Sequence, residues 1–220
     1  MLNNTYFPTT IVDGFFDNPD KIRQFALEQD YNSDDTGRWP GLRSSQLVDL
    51  SPVLFNNMCQ KILSLFFTAE QPYMYDIEST FQIVNSNFNT GWVHKDPSII
   101  TIMLYLSPES SSGTSLYLKK NIFFDDDTYG DDKIGSYLLG SDNINSRKLH
   151  NQNFEETVNV KGIYNRLLIF DSNIYHAAHD FFGKNKEDSR LTLVSFVHGL
   201  KGDFRAPLQR SRNYIGRTTL

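Results

Sequence analysis

From Tyr73 onward the chain falls into short runs rich in Ile, Val, Thr, Tyr and Phe, broken by turn residues such as Ser110-Ser111-Ser112-Gly113. These residue types fit a pleated surface, so Tyr73–Val84, Ile99–Leu106, Thr114–Leu118, Thr157–Val160, Tyr164–Phe170 and Arg190–His198 are expected as strands. Many short strands separated by turns make a sandwich or a barrel. Two helices are signalled ahead of them. Asp17-Asn18-Pro19 offers a cap and a proline at the first helical position, and Ile22, Phe25 and Ala26 then share one apolar face. Ser51-Pro52 repeats the start signal, and Phe55, Met58, Cys59, Ile62, Leu63 and Phe66 recur at helical spacing. The expected class is α+β, mainly β, with the two helices packed outside a β-sandwich.

At 220 residues the chain suits one domain. It divides into helices and loop over 1–70, a β core over 71–200 and a basic tail over 201–220. The 17 Phe and 11 Tyr favour sheet packing over a helix bundle. A net charge of −5 argues against nucleic acid or an anionic membrane as a partner. The tail is the exception, with Lys201, Arg205, Arg210, Arg212 and Arg217 against Asp203. The single cysteine, Cys59, excludes an intrachain disulfide framework and falls on the apolar helical stripe, where a buried thiol is expected. Met1-Leu2-Asn3-Asn4-Thr5 has neither the basic nor the apolar run of a signal peptide, and no apolar stretch approaches membrane-spanning length. A soluble, cytoplasmic protein is the expectation, with the oligomeric state left open.

Lys119 to Asn159 has poor periodicity and reads as loops over one mouth of the β core. Within it, Asp125-Asp126-Asp127-Thr128-Tyr129-Gly130 has some features of a calcium loop, but Ser136 stands where the closing glutamate belongs. Arg38-Trp39-Pro40-Gly41-Leu42-Arg43 lies in a loop-like stretch and offers either a cationic and aromatic surface for substrate or an aromatic plug.

The residues with chemistry begin at Gly91-Trp92-Val93-His94-Lys95-Asp96. On extended backbone, side chains two apart share a face, so His94 and Asp96 can converge on one ion while Lys95 points away. Two imidazoles and one carboxylate suit a non-haem iron(II) and leave positions open for other ligands. His176, following the strand-and-turn Asn165-Arg166-Leu167-Leu168-Ile169-Phe170-Asp171-Ser172, is placed to complete the set. His179, three residues on and nearer Arg190, competes with it. Arg190, Thr192 and Val194 share a face of the last long strand, where a planar guanidinium and a hydroxyl suit a carboxylate.

In this order and spacing the chain resembles the iron(II)- and 2-oxoglutarate-dependent dioxygenases, and in pattern the prolyl hydroxylases. The likeness is carried by His94-Lys95-Asp96, Tyr105-Leu106-Ser107, Gly113-Thr114, His176 and Arg190-Leu191-Thr192, and is strongest from Phe81 to Val197. It implies a double-stranded β-helix (jelly roll, cupin-like) core with supporting helices. It also implies iron bound by His94, Asp96 and His176, with Arg190, Tyr105 and Thr192 on 2-oxoglutarate and Asn85 on co-substrate or substrate. The spacing from Phe170-Asp171-Ser172 matches His176 better than His179. The implied reaction is hydroxylation of a small-molecule or peptide substrate, a prolyl or other peptidyl residue among the candidates, using O2 and releasing succinate and CO2, with ascorbate an assay supplement. The competing readings are a cupin-like metal-dependent isomerase or small-ligand-binding protein, and a non-catalytic structural protein.

Overall fold

The computed structural model describes residues 5–66, 68–69, 72–108, 112–120, 137, 141–202, 204–205 and 210–211. The calcium-like loop at 125–130 and most of the basic tail lie outside them. In chain order the elements are β1 (Thr5–Tyr6), β2 (Thr10–Val12), α1 (Pro19–Leu27), β3 (Tyr31–Ser33), β4 (Leu42–Gln46), α2 (Leu47–Leu50), α3 (Pro52–Leu63) and β5 (Thr68–Ala69). There follow β6 (Met74–Val84), β7 (Ile100–Tyr105), β8 (Thr114–Lys119), α4 (Ser141–Asn151), β9 (Phe154–Val160), β10 (Leu167–Asp171), β11 (Tyr175–Ala178), β12 (Arg190–Lys201), β13 (Phe204–Arg205) and β14 (Arg210–Ser211).

The chain is mainly β, built on a large antiparallel sheet. Seven strands run in the order β2-β10-β7-β12-β6-β4-β3, and a smaller sheet has the order β11-β8-β9. The period of two explains the layering. Phe81 and Ile83 of β6, Ile100, Ile102 and Leu104 of β7, Leu167 and Ile169 of β10, and Leu191 and Leu193 of β12 join Phe55, Met58, Cys59, Ile62 and Leu63 of α3 in one core. The alternate residues Met103, Tyr105, Leu168, Phe170 and Val194 pack instead with Leu116 of β8 and Val160 of β9. Strands covered on both faces read as nearly unbroken apolar runs, which is why the sequence signalled them clearly.

The helix starts follow the sequence. Asn18 caps α1 by accepting from Lys21 N, and Ser51 caps α3 by accepting from Leu54 N, with Pro19 and Pro52 in the first turns. Cys59 is buried, and burial pushes its thiol up to about 12. The strand expected from Tyr164 starts only at Leu167. Asn165 turns a corner there at φ 61°, its Oδ1 accepting from Phe16 N and its own N donating to Tyr105 O. The stretch expected as loops from Lys119 to Asn159 contains α4, and β9 begins at Phe154 rather than Thr157. α4 is polar in sequence and holds on through Arg147, buried with Nη2 donating to Phe88 O at 2.7 Å, and Asn151, whose Nδ2 donates to Gly91 O. Among the described residues no helix is long and apolar enough to cross a membrane.

Candidate metal centre

His94 and Asp96 lie in the connection between β6 and β7, which is zipped against the end of β10 and the start of β11. His94 N donates to His176 O at 3.0 Å and His176 N returns to His94 O at 2.8 Å. Asp96 N donates to Ser172 O, and Ser172 N to Ile99 O. Backbone bonds therefore bring the three side chains together.

His94 Nε2 is 3.3 Å from Asp96 Oδ1, and His176 Nε2 is 3.0 Å from Asp96 Oδ2. All three ligand atoms fall within 4.8 Å of one another. Ligands about 2.1 Å from one ion and at right angles stand roughly 3 Å apart, so the two carboxylate separations match one face of an octahedron. Each imidazole is also held in one tautomer. His94 Nδ1 is 2.6 Å from Trp92 O, and His176 Nδ1 is 2.9 Å from Ile174 O. A carbonyl only accepts, so both Nδ1 atoms carry the proton and both Nε2 atoms turn a lone pair toward the carboxylate. Three acceptors aimed at one point require a cation or an extra proton between them. This donor set fits a divalent metal.

Asp96 is itself supported. Thr101 Oγ1 donates to its Oδ2 at 2.7 Å, and Ser172 Oγ lies 2.8 Å from that hydroxyl and 2.7 Å from Ser98 Oγ. Burial alone would raise the Asp96 carboxyl, but the positive charge and hydrogen bonds that an extra proton brings to His176 and then to His94 outweigh burial and hold it well below the usual carboxylate range.

The cluster opens into a cavity of about 520 Å3 between the two sheets, shared with Thr101, Met103, Thr114, Phe181, Arg190 and Val194. Arg190 is 2% exposed, and its Nε and Nη2 have no hydrogen-bond partner among the described residues. Its Nη1 reaches Thr192 Oγ1 at 3.4 Å, a long contact, and its guanidinium carbon lies 5.6 Å from the Tyr105 ring centre and 5.8 Å from that of Phe181. Burial pushes the guanidinium below its ordinary value, partly offset by Tyr105 and Tyr137. Orphaned donors on a buried cation facing a cavity fit an anionic guest. The Tyr105 hydroxyl donates to Thr114 Oγ1 at 2.8 Å, so Tyr105 steadies the cavity wall rather than lining it.

Two other sequence candidates fall elsewhere. Asn85 does not line the cavity; its Oδ1 accepts from Asn87 N and caps the short turn Ser86–Phe88, which corrects the expectation that it meets a ligand. His179 faces away from the cluster, with Nδ1 against Asp180 Oδ2 and Nε2 near Asn159 Nδ2. Thr101 and Ser172 escaped sequence reading because a buried hydroxyl in a strand carries no signal of its own. Tyr137 also lines the cavity and accepts from Trp92 N at 2.7 Å, beside the metal-side loop.

Residues 2–197 match the family of unknown function DUF6445. No curated protein matches the sequence. Among solved structures, HygX from Streptomyces hygroscopicus with nickel, 2-oxoglutarate and hygromycin B bound aligns at 13% identity and a TM-score of 0.52, over 86% of this chain and 82% of that one. The same protein with iron bound aligns at 11% identity and 0.50, over the same shares of 86% and 82%. A prolyl-4-hydroxylase from Pseudomonas putida aligns at 13% identity and 0.44, over 86% and 91%. The likeness is one of fold. The chain therefore belongs to the family of unknown function DUF6445, and its fold is similar to that of HygX.

Proposed function

We propose that this chain is an iron(II)- and 2-oxoglutarate-dependent dioxygenase that hydroxylates a C–H bond of a small-molecule or peptide substrate, its two sheets forming a double-stranded β-helix. One observation carries the reading. A buried guanidinium with unused donors shares a single cavity with a His-Asp-His cluster whose lone pairs converge.

His94, Asp96 and His176 would hold the metal, and iron(II) bound there supplies oxygen activation with 2-oxoglutarate as reductant, which leaves as succinate and CO2. The chain's own part is positioning and exclusion of water. Trp92 O and Ile174 O fix the imidazole tautomers, and Thr101 orients the carboxylate. Arg190 takes the far carboxylate of the co-substrate through its planar fork, with Thr192 and Tyr105 setting the guanidinium's place. Met103, Phe181 and Val194 supply an apolar wall that keeps water from these charges.

The test is calorimetric titration of 2-oxoglutarate into anaerobic, iron-loaded protein. Binding should require the metal, and Arg190→Gln should weaken it by about ten- to a hundredfold, the value of a charge-assisted pair. Equal affinity in the variant, or binding indifferent to metal, would overturn the reading.

A further inference from the structure

The cavity holds a second guanidinium that co-substrate binding leaves unused. Arg43 on β4 pairs in register with Gln82 on β6, and Gln82 with Thr192 on β12. Arg43 and Thr192 thus stand two strands apart on the same sheet, roughly 10 Å at ordinary strand spacing. Of the three arginines lining the cavity, Arg38 is exposed, and Arg43 and Arg190 are separated enough to hold two different anions.

Arg43 is unpaired among the described residues. Its Nε is buried with no acceptor, and its guanidinium carbon lies 4.4 Å over the Trp39 ring and 5.8 Å from that of Phe196. The indole Nε1 of Trp39 is likewise buried without an acceptor. Asp96, Glu78 and Asp34 are near enough to act on Arg43 electrostatically, yet each is engaged elsewhere. Asp96 sits between the histidines, Glu78 accepts from Gln46 and faces His198, and Asp34 accepts from Thr36 and Arg38 N. The loop before Arg43 is pinned as well, Gln82 Nε2 donating to Pro40 O at 2.9 Å. Arg43 and Trp39 are held in place with donors to spare, and a cation so placed is stabilised by an anion that enters the cavity.

Building on the oxygenase reading, we infer that Arg43 and Trp39 form the primary-substrate site, and that the substrate carries a carboxylate on an apolar group. The carboxylate takes the fork of Arg43, and the adjoining carbons lie against Trp39 and Phe196. A phosphate fits less well, because Glu78 and Asp96 line the same cavity and no lysine does among the described residues. Arg43 balances one charge, and Arg38, which lines the same cavity, is exposed to solvent.

The probe is 3-phenylpropionate against its neutral twin 3-phenylpropanamide, read by quenching of tryptophan emission in metal-loaded protein saturated with 2-oxoglutarate. Trp39 and Trp92 are the only tryptophans, and Trp92→Phe isolates the Trp39 signal. In that background the acid should bind at least about tenfold more tightly than the amide, and Arg43→Gln should erase the difference. Arg43→Lys, which keeps charge but not the fork, should fall between them. Unchanged 2-oxoglutarate affinity in Arg43→Gln serves as the folding control. Equal binding of acid and amide, no quenching by either, or displacement by inorganic phosphate ahead of the acid would overturn the inference. Arg190→Gln separates the two proposals, since it should lose 2-oxoglutarate while 3-phenylpropionate still binds.

Discussion

His94 and His176 are joined backbone to backbone, through reciprocal hydrogen bonds of 3.0 and 2.8 Å, although 82 positions separate them by number (176 − 94). Their rings approach to 4.3 Å between centres. The pairing holds two candidate ligands in place, which would lower the ordering cost of binding an ion.

That arrangement makes a clear distinction between neighbouring histidines. His176→Ala should lose iron(II) affinity by at least about a hundredfold, beyond the range typical of a supporting partner. His179→Ala should leave it unchanged, since that ring meets Asp180 and Asn159. Competitive titration with a fluorescent chelator measures both, and the reverse pattern would make His179 the ligand.

Thr101 should behave as a positioning residue. Its hydroxyl donates to Asp96 Oδ2 at 2.7 Å, so Thr101→Val should weaken metal binding by about ten- to a hundredfold while the melting temperature barely moves. Thr101→Ser, which keeps the hydroxyl, should restore most of the affinity. An unaffected Thr101→Val variant would remove this threonine from the account.

Gly41 sits at φ +72°, and a Cβ there would stand 2.0 Å from Ile83 O. Gly41→Ala thus meets both a left-handed backbone and a backbone clash. The expected loss is about 2 kcal/mol or more, a fall in melting temperature of roughly 4–8 °C for a chain this size. Gly14→Ala, at φ +67° with nothing within 4 Å, should cost about half as much. Thermal melts of the two variants side by side check the difference.

Asp13 and Arg166 form a bidentate pair, with Nε–Oδ1 at 2.6 Å and Nη2–Oδ2 at 2.9 Å. The hydrogen bond from Arg166 lowers the Asp13 carboxyl below its ordinary value. A depressed folded-state value stabilises the fold above the unfolded value, and that contribution disappears as pH falls through the folded one. Asp13 is largely exposed, so Asp13→Asn should cost less than about 1 kcal/mol at neutral pH. Denaturant melts at a series of pH values should show the gap closing on acidification, and a gap that widens would contradict the pairing.

The elements legible in the sequence are those whose burial imposes a pattern. β6, β7, β10 and β12 are covered on both faces and read as β-branched runs, and α3 shows its stripe because it docks with one side. β3 and β4 are short and largely polar at the sheet edge, and β11 is only four residues, so each is fixed by its partner strand rather than by its own composition. His94, Asp96, His176 and Arg190 come together at one cavity, as the spacing on extended backbone suggested, whereas Thr192 does not line it. Thr101 was not readable, since its role exists only once Asp96 folds against it. Asn85 was misplaced for a related reason: position before the metal motif does not say that the chain turns there and uses the amide as a cap.

The central claim is that His94, Asp96, His176 and Arg190 serve one reaction. Its most direct test is succinate formation from 2-oxoglutarate by purified protein with iron(II), ascorbate and oxygen, followed in the native chain and in His94→Ala. Iron-dependent succinate in the native chain, lost in the variant, is the predicted result. Succinate formed at the same rate by His94→Ala, or none formed by the native chain with iron bound, would contradict it.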